Sequence, residues 1–410
     1  MLELQSLFAR LKELYPELVE FRRELHMYPE LSFEEVNTPN KIADYLRGLG
    51  IEVRTEVGGR GVVGLLRGGK TGKTVALRAD FDALPIQDEK QVEYKSRIPG
   101  VMHACGHDIH TAALLGVARV LSEAKELIAG NIVFIHQFAE EKIPGGAKPM
   151  IEDGCLDGVD VIYGAHVWAS EPIGTVGVGE GPMMAAMDSF EIEIYGKGGH
   201  GATPHLTVDS LVLASQLVLN LQQIVSRRVD PLKPAVVTVG TFSAGNAFNV
   251  IPHTAKLTGT VRSFDEDVRD LIEESIGQIA ASTCEGAGAT AKYHFTRGYP
   301  AVWNHTDETL RVEQLAKLLI GDDKVKRMTP IMGGEDFSYY LQKVPGTFFF
   351  VGGGNPEINA TYPHHHPRFD VDERSMLITG ELFISAVFDY LSEGIIKPDP
   401  REEVNANIQI

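Results

Sequence analysis

Helical and strand-like periods of apolar residues alternate along most of the chain. In the first 30 residues, leucines recur every three or four positions among charged residues, which predicts an amphipathic helix. A second helix is predicted at 40–49, just before Gly50, a residue suited to a helix C-terminus. Short runs rich in branched residues then predict strands at 51–57, 62–66 and 75–79.

The alternation continues as far as residue 167. A helix is predicted at 110–125, and strands are predicted at 132–138 and 159–167. Alternating strands and helices are typical of α/β layers. Polar residues stand where the predicted strands end: Asp80, Asp82, Glu140, Glu141 and His166. We therefore expect a functional site at the carboxyl edge of a sheet.

The pattern changes after Met187 and changes back after Tyr299-Pro300. The elements between them are strands 189–195, 235–242, 254–263 and 291–296 and helices 208–227 and 265–285. Their order, β-α-β-β-α-β, is the ferredoxin-like arrangement. Beyond Pro300 the α/β character returns with a helix at 308–319, a strand at 347–351 and a helix at 373–391. The predicted fold class is α/β, a mixed sheet flanked by helices and interrupted by a smaller α+β domain.

These patterns divide the chain into four parts. The two segments of the α/β domain are residues 1–186 and 298–396, and the inserted domain is residues 187–297. The last part, 397–410, has prolines and many polar residues, and we predict an unstructured tail there.

Charge and cysteine content exclude several classes of protein. The 410 residues include 38 basic and 56 acidic ones, for a net charge of −18. This balance argues against binding to nucleic acids or anionic membranes, which need clustered positive charge. No apolar run is as long as a membrane span, and the charged N-terminus does not resemble a secretory signal. Three cysteines are too few for a disulfide scaffold, so the cytosol is the expected location.

Three histidines and a cysteine occur within eight residues, from His103 to His110. A Cys105 thiolate and a His107 imidazole can reach one ion, because Gly106 between them permits an unusual turn. Metal binding is the favoured interpretation. The alternative is a nucleophilic cysteine, which needs a neighbouring base and an electropositive pocket.

Further potential ligands occur in three places. Glu140 and Glu141 point to opposite sides of an extended segment, so one can bind a metal while the other faces the substrate. The alternative interpretation is that Glu140 and Glu141 are a solvated pair of acidic residues on the surface. His166 stands beside Trp168, and a tract of three histidines, 364–366, lies between prolines. Together these residues can hold two ions. Thiolate and imidazole ligands favour Zn²⁺, Co²⁺ or Ni²⁺ over Mg²⁺ or Ca²⁺, and Mn²⁺ is also compatible.

Ordered motifs run over essentially the whole chain: Arg22-Arg23-Glu24-Leu25-His26, Arg78-Ala79-Asp80-Phe81-Asp82-Ala83-Leu84-Pro85, Met102-His103-Ala104-Cys105-Gly106-His107-Asp108, Glu140-Glu141, Gly198-Gly199-His200-Gly201-Ala202-Thr203-Pro204-His205, Asn249-Val250-Ile251-Pro252, Gly334-Glu335-Asp336-Phe337 and His365-His366-Pro367-Arg368-Phe369-Asp370. Each motif is weak alone, but together they are specific. With them the chain resembles the M20 metallopeptidases, in particular the amidohydrolase branch with hippurate hydrolases, N-acyl amino acid hydrolases and auxin-conjugate hydrolases. The resemblance implies a catalytic domain with a metal pair and an inserted lid domain.

The resemblance also implies roles for single residues. The ligand positions fall on Cys105, His107, Glu141, His166 and His365, and the general base falls on Glu140. His365 is preferred to its neighbours because it stands two residues before Pro367. Other branches have a ligand histidine in an HxD motif, where this chain has Asp80-Phe81-Asp82. Cys105 replaces a bridging aspartate, which implies a thiolate bridge between the ions.

Four more residues match family positions near the reaction. Asp82 matches an aspartate that orients a ligand histidine, with a turn aspartate as the alternative. His200 matches an imidazole that stabilises the oxyanion. Arg262 matches an arginine that binds the substrate carboxylate, and Asn249 matches an amide that contacts the substrate. The alternative for Arg262 is an exposed arginine on a strand, and the alternative for Asn249 is a residue of a turn.

The predicted function is metal-dependent hydrolysis of the amide bond of N-acyl-L-amino acids, with water as nucleophile and Glu140 as general base. A dipeptidase or carboxypeptidase with the same centre is the alternative enzyme. A metal-stabilised binding protein is the alternative from another class, and Glu140 disfavours it, because a structural site needs no such carboxylate. The predicted partners are a small-molecule substrate and a second copy of the chain, joined through the lid, with His200 acting at the partner's metal centre.

Overall fold

The structure of the protein, a computed structural model, describes residues 2–392. The predicted tail at 397–410 and the last residues of the second predicted segment, 393–396, lie outside the described residues. The α-helices of the described part are α1 (Leu2–Met27), α2 (Asn37–Gly48), α3 (His107–Glu123), α4 (Ala147–Glu152), α5 (Ser210–Leu221), α6 (Glu266–Glu285), α7 (Thr306–Ile320), α8 (Ser338–Leu341) and α9 (Ser375–Leu391). The β-strands are β1 (Glu52–Val57), β2 (Gly61–Arg67), β3 (Lys70–Asp80), β4 (Ala129–Gln137), β5 (Val161–Pro172), β6 (Val176–Val178), β7 (Gly181–Met184), β8 (Ala186–Tyr195), β9 (Gly199–His200), β10 (Ala235–Ala244), β11 (Val250–Ile251), β12 (Thr254–Ser263), β13 (Thr290–Arg297), β14 (Val302–Asn304), β15 (Val325–Arg327) and β16 (Gly346–Gly354).

The first of two compact units contains the described residues up to 183, residues 303–329 and the described residues from 336 on. Its eight-stranded sheet has the strand order β1-β2-β4-β3-β5-β16-β6-β15. β3 runs parallel to β4 and β5, and β5 runs parallel to β16. β2 is antiparallel to both β1 and β4. The predicted α/β fold with a mixed sheet is therefore confirmed.

Helices cover this sheet. The last seven residues of β3 are all buried, which means that both faces of the strand are covered. α3 and α9 contact β3, and α1 packs against α3 and α9. On α1, the predicted leucine stripe is buried from Leu7 to Leu18, and Leu11 and Leu18 lie against Gly116 of α3, where a side chain would collide with them. The amphipathic pattern of the first helix thus serves to bury it on α3.

The second unit contains residues 184–302 and 330–335. Its four strands form an antiparallel sheet in the order β10-β12-β8-β13. α5 and α6 pack on this sheet around a core that includes Ile192, Leu217, Leu257 and Ile276. The chain order β8-α5-β10-β12-α6-β13 confirms the predicted ferredoxin-like arrangement. The predicted domain boundaries at residues 187 and 297 stay a prediction.

Some elements differ from the sequence prediction. The helix predicted at 208–227 starts only at Ser210, because the side chain of Asp209 accepts two backbone N–H bonds and caps it. This helix ends at Leu221, and a separate π-helical turn, Ile224–Arg228, follows. β6, β7, β14 and β15 were not predicted, since runs of three or four residues show no period. No described helix combines the length and the apolarity needed to cross a bilayer.

Candidate metal centre

Two of the five predicted ligands, Glu141 and His166, belong to the strands of the first unit or closely follow them, as does the predicted base Glu140. Asp80 is the last residue of β3, Glu140 and Glu141 follow β4, and His166 lies in β5. Because β3 is parallel to both β4 and β5, the carboxyl ends of the three strands meet at one edge of the sheet. The topology thus gathers residues that are far apart in the sequence.

Gly106 brings Cys105 and His107 to the same place. α3 begins at His107, and Gly106 before it has a φ of +97°, in the left-handed region that favours glycine. A Cβ atom at Gly106 would also lie 2.4 Å from Cγ1 of Val167. With this turn, Cys105, His107 and Glu141 each offer one ligand atom within 4.8 Å of the others. Three of the predicted ligands are therefore close enough to share an ion.

Asp82 links His107 to its surroundings. Its Oδ1 lies 3.0 Å from Nδ1 of His107. Its Oδ2 accepts hydrogen bonds from the hydroxyl of Ser32 at 2.6 Å and from the backbone N–H of Glu141 at 3.0 Å. In the neutral ring Nδ1 donates to Asp82, so the lone pair of the imidazole is on Nε2. Within the described part of the chain this Nε2 is buried and has no hydrogen-bond partner, an arrangement typical of a metal-binding imidazole.

His166 faces Cys105 from β5. Its Nδ1 donates to the carbonyl oxygen of Val167 at 2.7 Å, which leaves the lone pair on Nε2. This Nε2 lies 3.4 Å from Sγ of Cys105. His364 joins the pair, and the three residues each offer a ligand atom within 4.8 Å of the others. Within the histidine tract the family resemblance favoured His365 over His364 as the ligand.

His365, the residue preferred from the histidine tract, has a φ of +64°, which is uncommon for a residue other than glycine. A hydrogen bond from its backbone N–H to the carbonyl of Ala104, 2.8 Å long, holds this conformation. Its Nε2 lies 3.3 Å from Oε1 of Glu141, and the same oxygen lies 3.8 Å from Nε2 of His107. Glu141 therefore contacts two of the predicted ligand histidines. Such strained residues are often retained at functional sites.

Glu140, the predicted base, is a separate carboxylate at this centre. It is buried, and its Oε2 lies 4.0 Å from Nε2 of His107. Ala139 before it has a φ of +50°, and its N–H donates to Oε1 of Glu35 at 2.9 Å. This bend at the end of β4 places both neighbouring carboxylates within 4.0 Å of the same imidazole.

Asp80 and His110 lie beside these ligands, as their places at a strand end and in the histidine cluster predicted, and the structure shows what each contacts. Nδ1 of His110 lies 2.7 Å from Oδ1 of Asp80, and its Nε2 accepts the backbone N–H of Val167 at 2.9 Å. Both ring nitrogens are therefore occupied, so His110 positions the strand beside His166 and has no lone pair for a metal. Asp80 also pairs with Arg78 at 2.8 Å.

The charges of the centre favour a cation. Burial raises the pKa of the Cys105 thiol well above its usual value, and nearby carboxylates, Glu141 first among them, raise it further. Burial opposes the charged form of His107, but its carboxylate neighbours, led by Asp80, raise its pKa to about 10. A divalent cation offsets such negative charge and ionises a coordinating thiol. The donor set therefore fits a metal that binds sulfur and nitrogen.

Two predicted residues, His200 and Asn249, lie together in the second unit. β9 ends at His200 and pairs with β11, where Val250 is directly opposite the histidine. The carbonyl of Asn249 accepts the N–H of Gly201 at 2.8 Å. The N–H of Ala202 donates to Nδ1 of His200 at 3.0 Å, so the proton of the neutral imidazole is on Nε2. His200 is exposed and can donate a hydrogen bond from that atom.

Arg262 lies on β12 of the second unit. Its Nε donates to the carbonyl of Met332 at 3.2 Å, and its Nη1 donates to the carbonyl of Val261 at 2.9 Å and to the hydroxyl of Thr260. No carboxylate of the described residues forms an ion pair with it. The guanidinium is thus oriented by neutral acceptors and keeps its charge available for a ligand.

The chain is similar in sequence and in structure to known proteins. Residues 76–388 match the family described as Peptidase family M20/M25/M40. The chain is 44% identical over 365 residues to thermostable carboxypeptidase 1 of Saccharolobus solfataricus, with 88% of this chain and 92% of the relative covered. It is 46% identical over 295 residues to the N-acyl-L-amino acid amidohydrolase of Geobacillus stearothermophilus, with 72% and 80% covered. The crystal structure of the Bacillus subtilis YXEP protein, described as a dinuclear metal binding peptidase from the M20 family, has a TM-score of 0.81 and 35% identity and covers 93% of this chain and 99% of that chain. These matches confirm the resemblance seen in the motifs: the chain belongs to peptidase family M20/M25/M40 and is a hydrolase of carbon–nitrogen amide bonds.

Proposed function

We propose that the protein is a metal-dependent amidohydrolase that cleaves the amide bond of N-acyl-L-amino acids. One observation carries the proposal: a further buried carboxylate, Glu140, stands beside a cluster of residues suited to bind metal. A structural metal site has no use for such a carboxylate, whereas hydrolysis needs a base. The similarity to the amidohydrolase of Geobacillus stearothermophilus favours the same reaction class.

Two divalent cations are the proposed cofactors. The proposed ligands are Cys105, His107, Glu141, His166 and His365. Cys105 belongs to two of the groups of possible ligand atoms, one with His107 and Glu141 and one with His166 and His364, so its thiolate would help to hold an ion of either group. Zn²⁺ is the ion that best fits a thiolate with imidazoles, and Mn²⁺, Co²⁺ and Ni²⁺ are compatible. When bound, such cations supply Lewis acidity, which lowers the pKa of water and polarises a carbonyl group.

The residues of the chain divide the remaining work. Glu140 accepts the proton of the attacking water and passes it to the leaving amine. Asp82 keeps the proton of His107 on Nδ1, so that Nε2 stays available as a ligand. The Nε2–H of His200 donates to the carbonyl oxygen, where negative charge develops in the transition state.

Arg262 and Asn249 are the proposed substrate contacts. An N-acyl amino acid keeps a free carboxylate, and a planar guanidinium binds that group through two parallel hydrogen bonds. Arg262 suits this role because no acidic side chain of the described residues forms an ion pair with it, and Asp188, a carboxylate whose charge acts on Arg262, pairs with Arg269 instead. Asn249 lies next to the strand that pairs with His200, and its amide can contact the polar atoms of the scissile bond.

Cys105→Ser is expected to lose bound metal, and chelation is expected to abolish activity. A serine hydroxyl is a much poorer ligand than a thiolate for these ions. Metal content after gel filtration, measured by mass spectrometry, tests this. Cys155→Ser is the matched control, because Cys155 is a buried thiol of the same unit outside the centre. Full metal content in Cys105→Ser would remove the thiolate ligand from the proposal.

Arg262→Ala is expected to lower kcat/KM for an N-acyl amino acid by about 10- to 100-fold, the usual weight of hydrogen bonds between charged groups. The same variant is expected to have little effect on the corresponding N-acyl amine, which has no carboxylate. Arg297→Ala is the control, since Arg297 pairs with Asp270 and Glu273 on the surface of the same unit. Equal losses on both substrates contradict carboxylate binding by Arg262.

A carboxypeptidase is the second candidate, favoured by the similarity to thermostable carboxypeptidase 1. A peptide with a free C-terminus offers the same carboxylate to Arg262, so the centre alone does not separate the two activities. Measuring kcat/KM on an N-acetyl amino acid and on a dipeptide that ends in the same residue distinguishes them. A higher value on the dipeptide decides for the carboxypeptidase.

We further propose that two copies of the chain associate through the second unit. β10 is an edge strand of its sheet, and edge strands readily pair with a copy of themselves. Several large apolar side chains of this unit are exposed: Leu206 (60%), Val212 (57%), Leu219 (70%) and Phe248, which is fully exposed. A two-fold contact covers the same patch on both copies. In such a dimer His200 acts at the metal centre of the partner subunit.

A heterodimer of Glu140→Gln with His200→Ala is expected to recover roughly half of the wild-type dimer's activity. If the histidine acts across the interface, one site carries both lesions and the other site is intact. If it acts within its own chain, each site carries one lesion and the heterodimer is inactive. Two affinity tags allow this species to be purified. An inactive heterodimer, or a fully active monomer, refutes the exchange of His200.

A further inference from the structure

Glu35 is a fully buried residue in the segment between α1 and α2, and no step of the proposed reaction uses it. Its Oε1 accepts the backbone N–H of Ala139 at 2.9 Å. Its Oε2 is buried without a hydrogen-bond partner among the described residues, and Nε of Arg60 lies 3.9 Å from the carboxyl. Burying a carboxyl with one unsatisfied oxygen costs free energy, so the place of Glu35 beside Ala139 calls for a reason other than stability.

The hydrogen bond of Glu35 reaches the residue directly before the proposed base. Ala139 has a φ of +50°, in the left-handed region, and a residue other than glycine keeps this conformation only where its surroundings hold it. On the other side of the base, the N–H of Glu141 donates to Oδ2 of Asp82 at 3.0 Å. Glu140 therefore stands between two anchored peptide groups, and Glu35 anchors the first of them.

The segment that carries Glu35 is itself held against the end of β4. The ring of Phe33 meets the ring of Phe138 edge to face, with 5.8 Å between the centroids. Nη1 of Arg60 donates to the backbone carbonyl of Glu35. Because these contacts fix the backbone of Glu35, its short side chain has little freedom to follow Ala139 if that residue moves. The carboxyl therefore defines the position of the Ala139 peptide.

Glu35 does not need a charge for this role. Burial, and after it the charge of Asp82, raises the pKa of Glu35 to about 8. The carboxyl is thus largely neutral at pH 7, and a neutral acid still accepts a hydrogen bond through its carbonyl oxygen. An uncharged amide of the same length can accept the same hydrogen bond.

We infer that Glu35 is a positioning residue for Glu140, because it holds the peptide of Ala139 in the bend that directs the base toward the metal centre. This inference rests on the proposed function, in which Glu140 is the general base. It adds a residue about 100 positions away in the sequence that acts on the reaction only through the backbone of its neighbour.

The first test changes the acceptor at position 35. Glu35→Met removes it and is expected to lower kcat on an N-acyl amino acid by about 10- to 100-fold, because a displaced base slows the chemical step. KM and metal content are expected to stay at the wild-type values, since neither substrate nor metal contacts Glu35. Glu35→Gln keeps the acceptor, and its kcat is expected to lie within about twofold of the wild type.

Two further variants control for effects on folding. Glu35→Asp draws the acceptor back by one methylene group with little change of chemistry, and it is expected to lower kcat as well. Glu30→Met is the matched control from the same segment: the Glu30 carboxylate accepts the N–H groups of Asn37 and Thr38 at the start of α2. This control loses a helix cap but no contact with Ala139, so its kcat is expected to stay within about twofold of the wild type.

A double-mutant cycle shows whether Glu35 acts through Glu140. In the Glu140→Gln background, Glu35→Met is expected to cause no more than about a twofold further loss of kcat, because the base that it positions is already removed. A general structural effect lowers kcat by the same factor in both backgrounds.

The outcomes separate this inference from the proposal on which it rests. Wild-type kcat in a folded Glu35→Met or Glu35→Asp variant overturns the positioning role, and so does a loss in Glu35→Gln equal to that in Glu35→Met. Equal factors in the two backgrounds of the cycle overturn it as well. All of these leave the amidohydrolase intact. If Glu140→Gln itself keeps wild-type kcat, Glu140 is not the base, and the inference falls with the proposed mechanism.

Discussion

Glu140→Gln is expected to keep its full metal content while kcat falls by roughly 10²–10⁴-fold. Glutamine has nearly the shape of glutamate, but its amide does not accept the proton of the attacking water. Glu141, not Glu140, offers a ligand atom within 4.8 Å of those of Cys105 and His107, which supports Glu141 as the ligand and Glu140 as the base. Metal content by mass spectrometry and kcat on one N-acyl amino acid, measured on the same preparation, test the expectation.

Glu141→Gln is the matched variant, since it makes the same chemical change one residue away. It is expected to lose metal together with activity, because Oε1 of Glu141 lies 3.3 Å from Nε2 of His365 and 3.8 Å from Nε2 of His107. If Glu140→Gln loses its metal while Glu141→Gln keeps it, the roles of general base and metal ligand are reversed. Equal metal loss in both variants contradicts a separate base.

The order of elements could be predicted from the sequence because the longer strands have a clear period. β8 alternates buried and less buried residues over its whole length, Ala186–Tyr195, as a strand with one covered face does. β6 and β15, with three residues each, are too short to show any period. β6 forms because the longer β16 offers it hydrogen bonds, and β15 in turn pairs with β6, so the information that specifies them is not local.

The histidine tract shows where residue patterns reach their limit. The structure places His364 with Cys105 and His166, and it places His365 against Glu141. The ring of His366 stacks on Tyr362, with 4.5 Å between the ring centroids. Three adjacent histidines thus face three different surroundings. The direction of each ring depends on the left-handed backbone at His365, which no spacing rule predicts.

The Gly334-Glu335-Asp336-Phe337 motif shows the same limit for long-range contacts. Sequence reasoning assigned it no chemical role. In the first unit, Asp336 pairs with Arg78 at 3.0 Å and accepts hydrogen bonds from the side chain of Gln137 and the N–H of Ala147. These partners belong to β3, β4 and α4, so Asp336 ties together the ends of the two strands that lead to the centre. Such a role follows only from the fold.

Arg22→Met is expected to lower the free energy of unfolding by about 3–5 kcal/mol, the loss typical of breaking a buried ion pair. Arg22 on α1 is completely buried, and its guanidinium lies 2.8 Å from Asp108, 3.2 Å from Asp370 and 3.2 Å from Glu373. Oδ2 of Asp108 also lies 2.8 Å from Nδ1 of His26 and accepts a hydrogen bond from it. Without the arginine, the buried carboxylates lose their main counter-charge. Methionine fills the volume of the arginine but brings no positive charge.

Arg10→Met, at a more exposed arginine of α1, is the control. Arg10 pairs with Glu123 at 2.8 Å, but both side chains are more than a third exposed, and such surface pairs contribute about 0–1 kcal/mol. Urea unfolding of the metal-loaded proteins should therefore shift the midpoint strongly for Arg22→Met and hardly for Arg10→Met. Asp108 directly follows the proposed ligand His107 at the start of α3, so Arg22→Met should also bind metal less tightly at equal folded fraction. If Arg22→Met unfolds at the same urea concentration as Arg10→Met, the buried ion pairs of Arg22 do not stabilise the protein.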